Sequence, residues 1–242
     1  MINSLLKLDP EFVSENEKIL IGQYPNTYTF TKSMAERAIK IKRGNLRVTI
    51  VRPSIVIAAY QEPVIGWTDS IAAGGIIIMT MINGYTKNLK FPRDIIIDFT
   101  PVDYVTNITL ASTAYSALEE TPALNIVHAT SSHVNPIQMG YMVDICNDFS
   151  RKFPSIAGFR PPGVINVPKK SVYKAHVFVK ETLPAKLLHC YGSLPYIGSK
   201  EVRRKASQLK KLTTKMEQLQ DTFLYFASNT WIFQSEFLEK LI

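Results

Sequence analysis

The sequence predicts an α/β chain in which an incomplete parallel sheet is followed by a mainly helical carboxy-terminal domain. Three observations carry this. A helix-patterned segment from Asn26 to about Ile41 passes through Gly44 straight into the β-branched run Leu46–Val51, the order of a helix feeding a parallel strand. Two further apolar runs, Ile95–Ile97 and Leu124–His128, flank a helical pattern over Val105–Leu118. Beyond Ser132 the character changes to a helical stretch, a proline-broken loop and one long amphipathic helix. At 242 residues, 46% of them hydrophobic, the chain has enough apolar side chain for a sizeable core.

The first helix has defined ends. Asn26 or Thr27 can cap its start, and Met34, Ala35, Ala38, Ile39 and Ile41 recur at near-helical spacing. Lys40, Lys42 and Arg43 suit the negative end of the helix dipole, and Gly44 tolerates the left-handed geometry that stops it. The strand Leu46–Val51 then ends at Arg52-Pro53. The nearly apolar stretch Ile71–Ile82, interrupted by Gly74, Gly75 and Thr80, falls short of the roughly 18 residues a membrane span needs and reads as a buried segment. Asn135–Phe153 reads as a helix and Pro154–Pro168 as a loop broken by Pro154, Pro161, Pro162 and Pro168. From Lys200 to about Ala227 runs a basic amphipathic helix with Leu209, Leu212, Met216 and Leu219 on one face. The domain boundary falls near Ser132, dividing residues 1–132 from 133–242.

Several function classes are disfavoured. The start lacks the basic end and long apolar core of a secretory signal. Cys146 and Cys190 form no C-x-x-C pair, and His128, His133, His176 and His189 are scattered, so neither a zinc site nor a disulfide framework is expected, and a reducing compartment is the simpler assumption. The net charge of +8 concentrates at Lys200, Arg203, Arg204, Lys205, Lys210, Lys211 and Lys215. No nucleic-acid module or interleaved aromatic residues accompany it, so no nucleic-acid partner is expected. The plain reading is a solvated helix face, the functional one a surface for a phosphorylated ligand or an anionic membrane.

The chemistry centres on Tyr28-Thr29-Phe30-Thr31-Lys32. Positions i and i+4 share a helix face, so Tyr28 and Lys32 can address one ligand together. A phenol, with a pKa of about 10 in isolation, is a poor proton donor to match neutral pH unless a nearby cation favours the phenolate. Lys32 supplies such a cation and three donors suited to ribose hydroxyls. The pair makes sense as a proton source beside a nicotinamide that supplies hydride. Alone, Y-x-x-x-K is a weak signal, because Tyr and Lys are common residues.

Context strengthens it. Tyr24-Pro25-Asn26-Thr27-Tyr28-Thr29-Phe30-Thr31-Lys32-Ser33-Met34-Ala35-Glu36 resembles the active-site helix of alcohol-forming fatty acyl-CoA reductases, the male sterility branch of the extended short-chain dehydrogenase/reductase superfamily. Val51-Arg52-Pro53-Ser54-Ile55-Val56 and Glu62-Pro63-Val64-Ile65-Gly66-Trp67 are similar to that family's following strand and loop. Asp98-Phe99-Thr100-Pro101-Val102-Asp103-Tyr104-Val105-Thr106-Asn107 resembles its next signature. His128-Ala129-Thr130-Ser131-Ser132 with Asn135-Pro136-Ile137 resembles the junction into the family's second domain, and Leu183-Pro184-Ala185 and Phe226–Phe233 resemble motifs further inside it. The matches come in the expected order along most of the chain. Departures occur at Ile65, Ser70 and Ala73-Gly74, all beyond the Tyr28–Lys32 helix.

The resemblance implies a Rossmann-like fold in residues 1–132 and a mainly helical reductase domain in 133–242. It implies NADPH-dependent reduction of a fatty acyl-CoA through an aldehyde to a primary alcohol. Tyr28 would protonate the developing alkoxide, Lys32 would bind the nicotinamide ribose, and Pro53, Ser54 and Ile55 would line the nicotinamide side. It also implies an intracellular protein of the peroxisomal or endoplasmic reticulum membrane, with peripheral membrane association. No G-x-G-x-x-G or related turn precedes Tyr28, Gly22 being the only glycine there, and neither Ser4 nor Ser14 has the context of a substrate-holding serine. The expectation is therefore a chain that lacks the amino-terminal half of the reductase and is shortened at its carboxy terminus. Two alternatives stand: a nucleotide-sugar epimerase or similar extended short-chain enzyme, and an inactive remnant acting as a lipid- or CoA-binding module.

Overall fold

The computed structural model describes residues 7–70, 73–119, 121–156, 158, 161–193 and 199–234. In chain order the elements are α1 (Pro10–Glu15), α2 (Glu17–Ile21), α3 (Thr27–Lys42), β1 (Val48–Pro53), β2 (Ile55–Ile57), α4 (Ala73–Ile82), β3 (Asn88–Leu89), β4 (Ile96–Ile97), β5 (Phe99–Pro101) and α5 (Val102–Leu118). There follow β6 (Leu124–Ala129), β7 (Ile137–Gln138), α6 (Met139–Lys152), β8 (Ile165–Asn166), α7 (Lys170–Val177), a π-helical turn (Phe178–Thr182), α8 (Leu183–Gly192) and α9 (Lys200–Ala227). The class is α/β with a helical carboxy-terminal region, as the sequence predicts.

The strands pair two by two: β1 with β6, β2 with β5, β3 with β8 and β4 with β7. The β2–β5 and β3–β8 pairs are parallel, and β4–β7 is antiparallel. Several boundaries differ from the sequence reading for local reasons. The strand expected at Leu46–Val51 starts at Val48 and continues through Pro53, because proline's φ suits an extended chain where no N–H is required of it. The helix expected from Asn135 begins only at Met139, since Pro136 and the short strand Ile137–Gln138, paired with Ile96–Ile97, occupy its first turn. The proline-rich stretch after Phe153 contains β8, held to β3 by parallel pairing. The apolar run from Gly74 to Ile82 is helical, while Ile71 and Ala72, which open that run in the sequence, lie outside the described residues. The helices α1, α2, α7 and α8 have no counterpart among the elements that the sequence predicts.

By packing, the described residues up to Arg52 and Ile108–Val127 form one compact unit, and Pro53–Asn107 with the described residues from His128 to Gln234 form another. This division is interleaved along the chain and differs from the boundary expected near Ser132, where the character of the sequence changes. The second unit holds a core of Met81, Leu89, Phe91, Ile95, Ile97, Phe99, Met139, Met142, Val143, Cys146 and Val164, with Ile55, Ile57 and Ile77 packed against it. Gly74 permits α4 to lie on this core: a Cβ there would come within 2.8 Å of Ile55 and 2.9 Å of Phe99. A polar seam runs between β3, the π-helical turn and α9. Asn88 Nδ2 donates to Glu181 at 3.0 Å, Thr213 Oγ1 donates to the other oxygen of Glu181 at 3.0 Å, and Gln220 donates to the Asn88 carbonyl at 3.0 Å. Buried polar groups tolerate such a position because they are mutually hydrogen-bonded.

Candidate active site

The first unit builds the helix that carries Tyr28 and Lys32. Asn26 caps α3, its side-chain oxygen accepting the Thr29 N–H at 2.9 Å, while Thr29 Oγ1 donates back to the Asn26 carbonyl at 3.0 Å. The opening turn is packed by the Tyr24 and Phe30 rings, edge to face at 5.6 Å, and by a 2.6 Å hydrogen bond between the Tyr24 and Ser33 hydroxyls. The helix stops at Lys42, and Gly44 follows at φ 56°. On its outer side, Lys32 Nζ lies 5.7 Å from the centre of the Tyr28 ring, so the two predicted residues do share a face. Tyr28 is 65% exposed, so its phenol is open rather than sealed in a core.

One turn beyond Lys32, Glu36 ties the helix to the sheet. Its carboxylate accepts two hydrogen bonds from Arg52, Nε to Oε1 at 2.9 Å and NH2 to Oε2, a bidentate ion pair. That pairing, outweighing partial burial, raises the Arg52 pKa above its ordinary value. Arg52 immediately precedes Pro53, so the same ion pair fixes the end of β1 against the helix that carries Tyr28 and Lys32.

The second unit holds Pro53 at its edge, then Ser54 and Ile55. Ser54 sits between β1 and β2, where strand pairing passes from β6 to β5, and its N–H donates to the Ala129 carbonyl at 3.3 Å. Its hydroxyl donates to Asp98 Oδ1 at 2.5 Å and lies 2.7 Å from Thr100 Oγ1. Asp98 also accepts the Thr100 hydroxyl at 3.1 Å, the Ser131 N–H at 3.0 Å and the Ser132 N–H at 2.8 Å. Burial opposes the charge of Asp98, yet the hydrogen bonds from Ser132, Ser54 and Ser131 outweigh it and hold the carboxyl below its usual range. Asp98 is therefore a buried, ionised knot that joins β2, β5 and the end of β6.

A second carboxylate shapes the loop after β2. Asp103 accepts the backbone N–H groups of Tyr60 at 3.0 Å, Gln61 at 2.9 Å and Glu62 at 3.1 Å, which hold its pKa well below the carboxylate range. The loop closes on itself through Ala59 N–H to Trp67 carbonyl at 2.9 Å and Gly66 N–H to Ala59 carbonyl at 2.8 Å. The sequence reading placed Asp98 and Asp103 inside a motif and gave neither a role. The visible signal was their spacing of five around Phe-Thr-Pro, but the partners lie about 35 to 45 positions away and obey no periodicity.

Burial pushes the Cys146 thiol up to about 11, so at neutral pH it stays protonated inside the core. Among the described residues no group of His, Cys, Asp and Glu could hold a metal ion, and no helix is long and apolar enough to cross a membrane.

Residues 3–109 match the NAD-binding family described as male sterility protein. The chain is 29% identical to fatty acyl-CoA reductase 1 of Xenopus laevis, over 98% of its own length and 44% of that protein. It is 29% identical to fatty acyl-CoA reductase 1 of Homo sapiens and 31% identical to fatty acyl-CoA reductase 2 of Mus musculus, in each case over the whole chain and 45% of the relative. Over nearly its whole length the chain is similar to fatty acyl-CoA reductases. It spans less than half the length of those reductases, and the Tyr28–Lys32 helix, Ser54 and Asp98 lie inside the matched NAD-binding region. A solved UDP-glucose 4-epimerase from Thermotoga maritima, with UDP-glucose, aligns over 60% of this chain and 40% of its own at 16% identity and a TM-score of 0.35, too slight a likeness to weigh against the reductases.

Proposed function

We propose that the chain forms the proton-donating part of an NADPH-dependent fatty acyl-CoA reductase that converts a long-chain acyl-CoA through the aldehyde to the primary alcohol. The observation that carries this is the exposed Tyr28 with the Lys32 ammonium 5.7 Å from its ring, on one face of a capped and ion-paired helix. Tyr28 Oη has no hydrogen-bond partner and Lys32 Nζ no ion-pair partner among the described residues, so both can be turned to a ligand. The residues fit the nicotinamide end of such a cofactor and not its pyrophosphate, for which the sequence offers no glycine-rich turn ahead of Tyr28.

Bound there, the nicotinamide would supply hydride. This chain's residues would do the rest. Tyr28 Oη donates its proton to the oxygen that becomes anionic as the carbonyl is reduced, and Lys32 stabilises the phenolate left behind while hydrogen-bonding ribose hydroxyls. Pro53, Ser54 and Ile55 would line the nicotinamide side, as the resemblance implies. The Ser54 hydroxyl is already committed to Asp98, so its part is to hold the backbone of this segment in place and not to touch substrate. Residues 133–242 hold the acyl chain or the CoA.

The test joins the chain to the amino-terminal half of a curated relative and follows consumption of an acyl-CoA. Tyr28→Phe removes one hydroxyl that bonds nothing among the described residues, so the fold should persist while fatty alcohol formation falls by roughly a hundred- to ten-thousand-fold. Lys32→Ala should lower the rate and weaken cofactor binding together. Alcohol made at near wild-type rate by the Tyr28→Phe protein would identify a different proton donor. Turnover of a nucleotide sugar in place of acyl-CoA would favour the epimerase reading.

A further inference from the structure

We infer that the π-helical turn and α8, together with the basic half of α9, form a docking surface for a lipid bilayer bearing anionic headgroups. The surface lies outside the proton-donor site and stands on its own observations. Val179, Leu183, Leu187 and Tyr191 are spaced four apart, just over one helical turn, so they form a row along one side. All four are open to solvent, at 58%, 38%, 61% and 49% exposure. From Val177 to Ala185 the buried residues, Val177, Glu181 and Ala185, are displaced from that row by two positions, which is the opposite side of a helix. The segment therefore has one side turned into the protein, where Glu181 joins the polar seam, and an apolar row turned away from it.

Charge decides what the outer side meets. Lys180 and Lys186 each stand three residues from Leu183 and flank the row; both are exposed, and Lys186 Nζ lies 5.9 Å from the ring of the exposed Phe178. Residues 178–192 contain a single acid, Glu181, and it is buried. Beside this segment packs α9. The two helices approach closely at Gly192, where a Cβ would come within 2.8 Å of the Arg203 backbone nitrogen. From Lys200 to Lys215, α9 exposes Lys200, Arg203, Arg204, Lys205, Lys210, Lys211 and Lys215 against one acid, Glu201. An exposed apolar row edged by lysines, next to a helix of one sign, is the pattern of an interfacial surface: the row enters the headgroup region and the cations meet phosphate and carboxylate groups. A soluble protein partner would need an acidic apolar groove, and a second copy would bring the same positive charge and repel.

The experiment is co-sedimentation of the purified chain with vesicles of phosphatidylcholine containing about a third phosphatidylserine, beside vesicles of phosphatidylcholine alone; it uses neither cofactor nor acyl-CoA, so it is independent of the reductase reading. Binding to the anionic vesicles should exceed binding to the neutral ones at least tenfold and should weaken as salt rises. Leu187→Glu, at an exposed position, should leave the thermal melt unchanged and reduce binding about tenfold or more. Lys210→Glu with Lys211→Glu should do likewise through charge alone. Equal binding to both vesicle types, no binding to either, or anionic binding that Leu187→Glu leaves intact would overturn the proposal. A concentration-dependent dimer dissolved by Leu187→Glu would also overturn it and assign the row to a second copy.

Discussion

Asp98 accepts side-chain or backbone hydrogen bonds from Ser54, Thr100, Ser131 and Ser132, donors that come from three separate segments of the chain. Asp98→Asn keeps the shape but replaces one acceptor oxygen with a donor that faces other donors. We expect a loss of about 2–3 kcal/mol in urea denaturation at neutral pH, the range for an unsatisfied buried group. The pH dependence has a definite sign. The folded pKa of Asp98 lies below its ordinary value, so its contribution is complete above the unfolded pKa of about 3.9 and is lost as pH falls through the folded pKa. The wild-type chain should therefore shed stability on acidification below about pH 4, and the Asn variant should shed less, which denaturation at pH 3 and pH 7 would measure. An equal acid sensitivity in both proteins would show that the carboxylate is not the group responsible. At this scale the sequence offered Ser54 as a lining residue from the order of its motif. Its commitment to Asp98, 44 residues away, left no trace in any local pattern.

Among the elements, α3 was legible almost to the residue. Asn26, the apolar spacing of Met34, Ala35 and Ala38, the terminal lysines and Gly44 are all local devices, and local devices survive into the structure. The cap can be tested directly. Asn26→Ala should cost about 1 kcal/mol and raise the exchange rate of the Thr29 amide about fivefold, since that amide loses its side-chain acceptor. Unchanged exchange at Thr29 would mean that the Phe30 N–H to Asn26 carbonyl bond and the Tyr24–Phe30 packing suffice to hold the first turn. The short strands were harder to read. β3, β7 and β8 are two residues each, and β7 displaced a helix start that Asn135 had suggested. Two residues cannot show a period, so their existence depends on partners distant in sequence. The amphipathic α9 was read correctly, with Leu212, Met216 and Leu219 half-buried as its apolar spacing requires; the side chain of Leu209, assigned to the same face, lies outside the described residues.

For the whole molecule, the absence of a glycine-rich turn ahead of Tyr28 has a measurable consequence. A dinucleotide gains much of its affinity where its pyrophosphate meets backbone N–H groups at a helix amino terminus. The chain by itself should therefore bind NADPH weakly, and calorimetric titration should show no micromolar event. Micromolar binding to the chain alone would mean that another of its segments supplies a phosphate site. The packing of the molecule also divides it in a way its order does not suggest, with α5 beginning in one unit and ending in the other. The expected boundary at Ser132 marks where resemblance to the family's second domain begins, and limited proteolysis that cuts there and leaves two folded products would establish it as a physical boundary.

The sequence alone determined the class of the chain, the limits of its first helix, the shared face of Tyr28 and Lys32, and the kinship that a spaced series of motifs implied. Each of these depends on contacts between residues within about one helical turn or on the order of short motifs, and both are written along the chain. Only the tertiary structure decided that Ser54 is held by Asp98, that Asp103 holds the loop after β2, that Arg52 ties Glu36 to the end of β1, and that an apolar row on α8 faces outward beside the basic α9. Those depend on which distant segments meet, and a buried carboxylate is stable only where the fold brings donors around it.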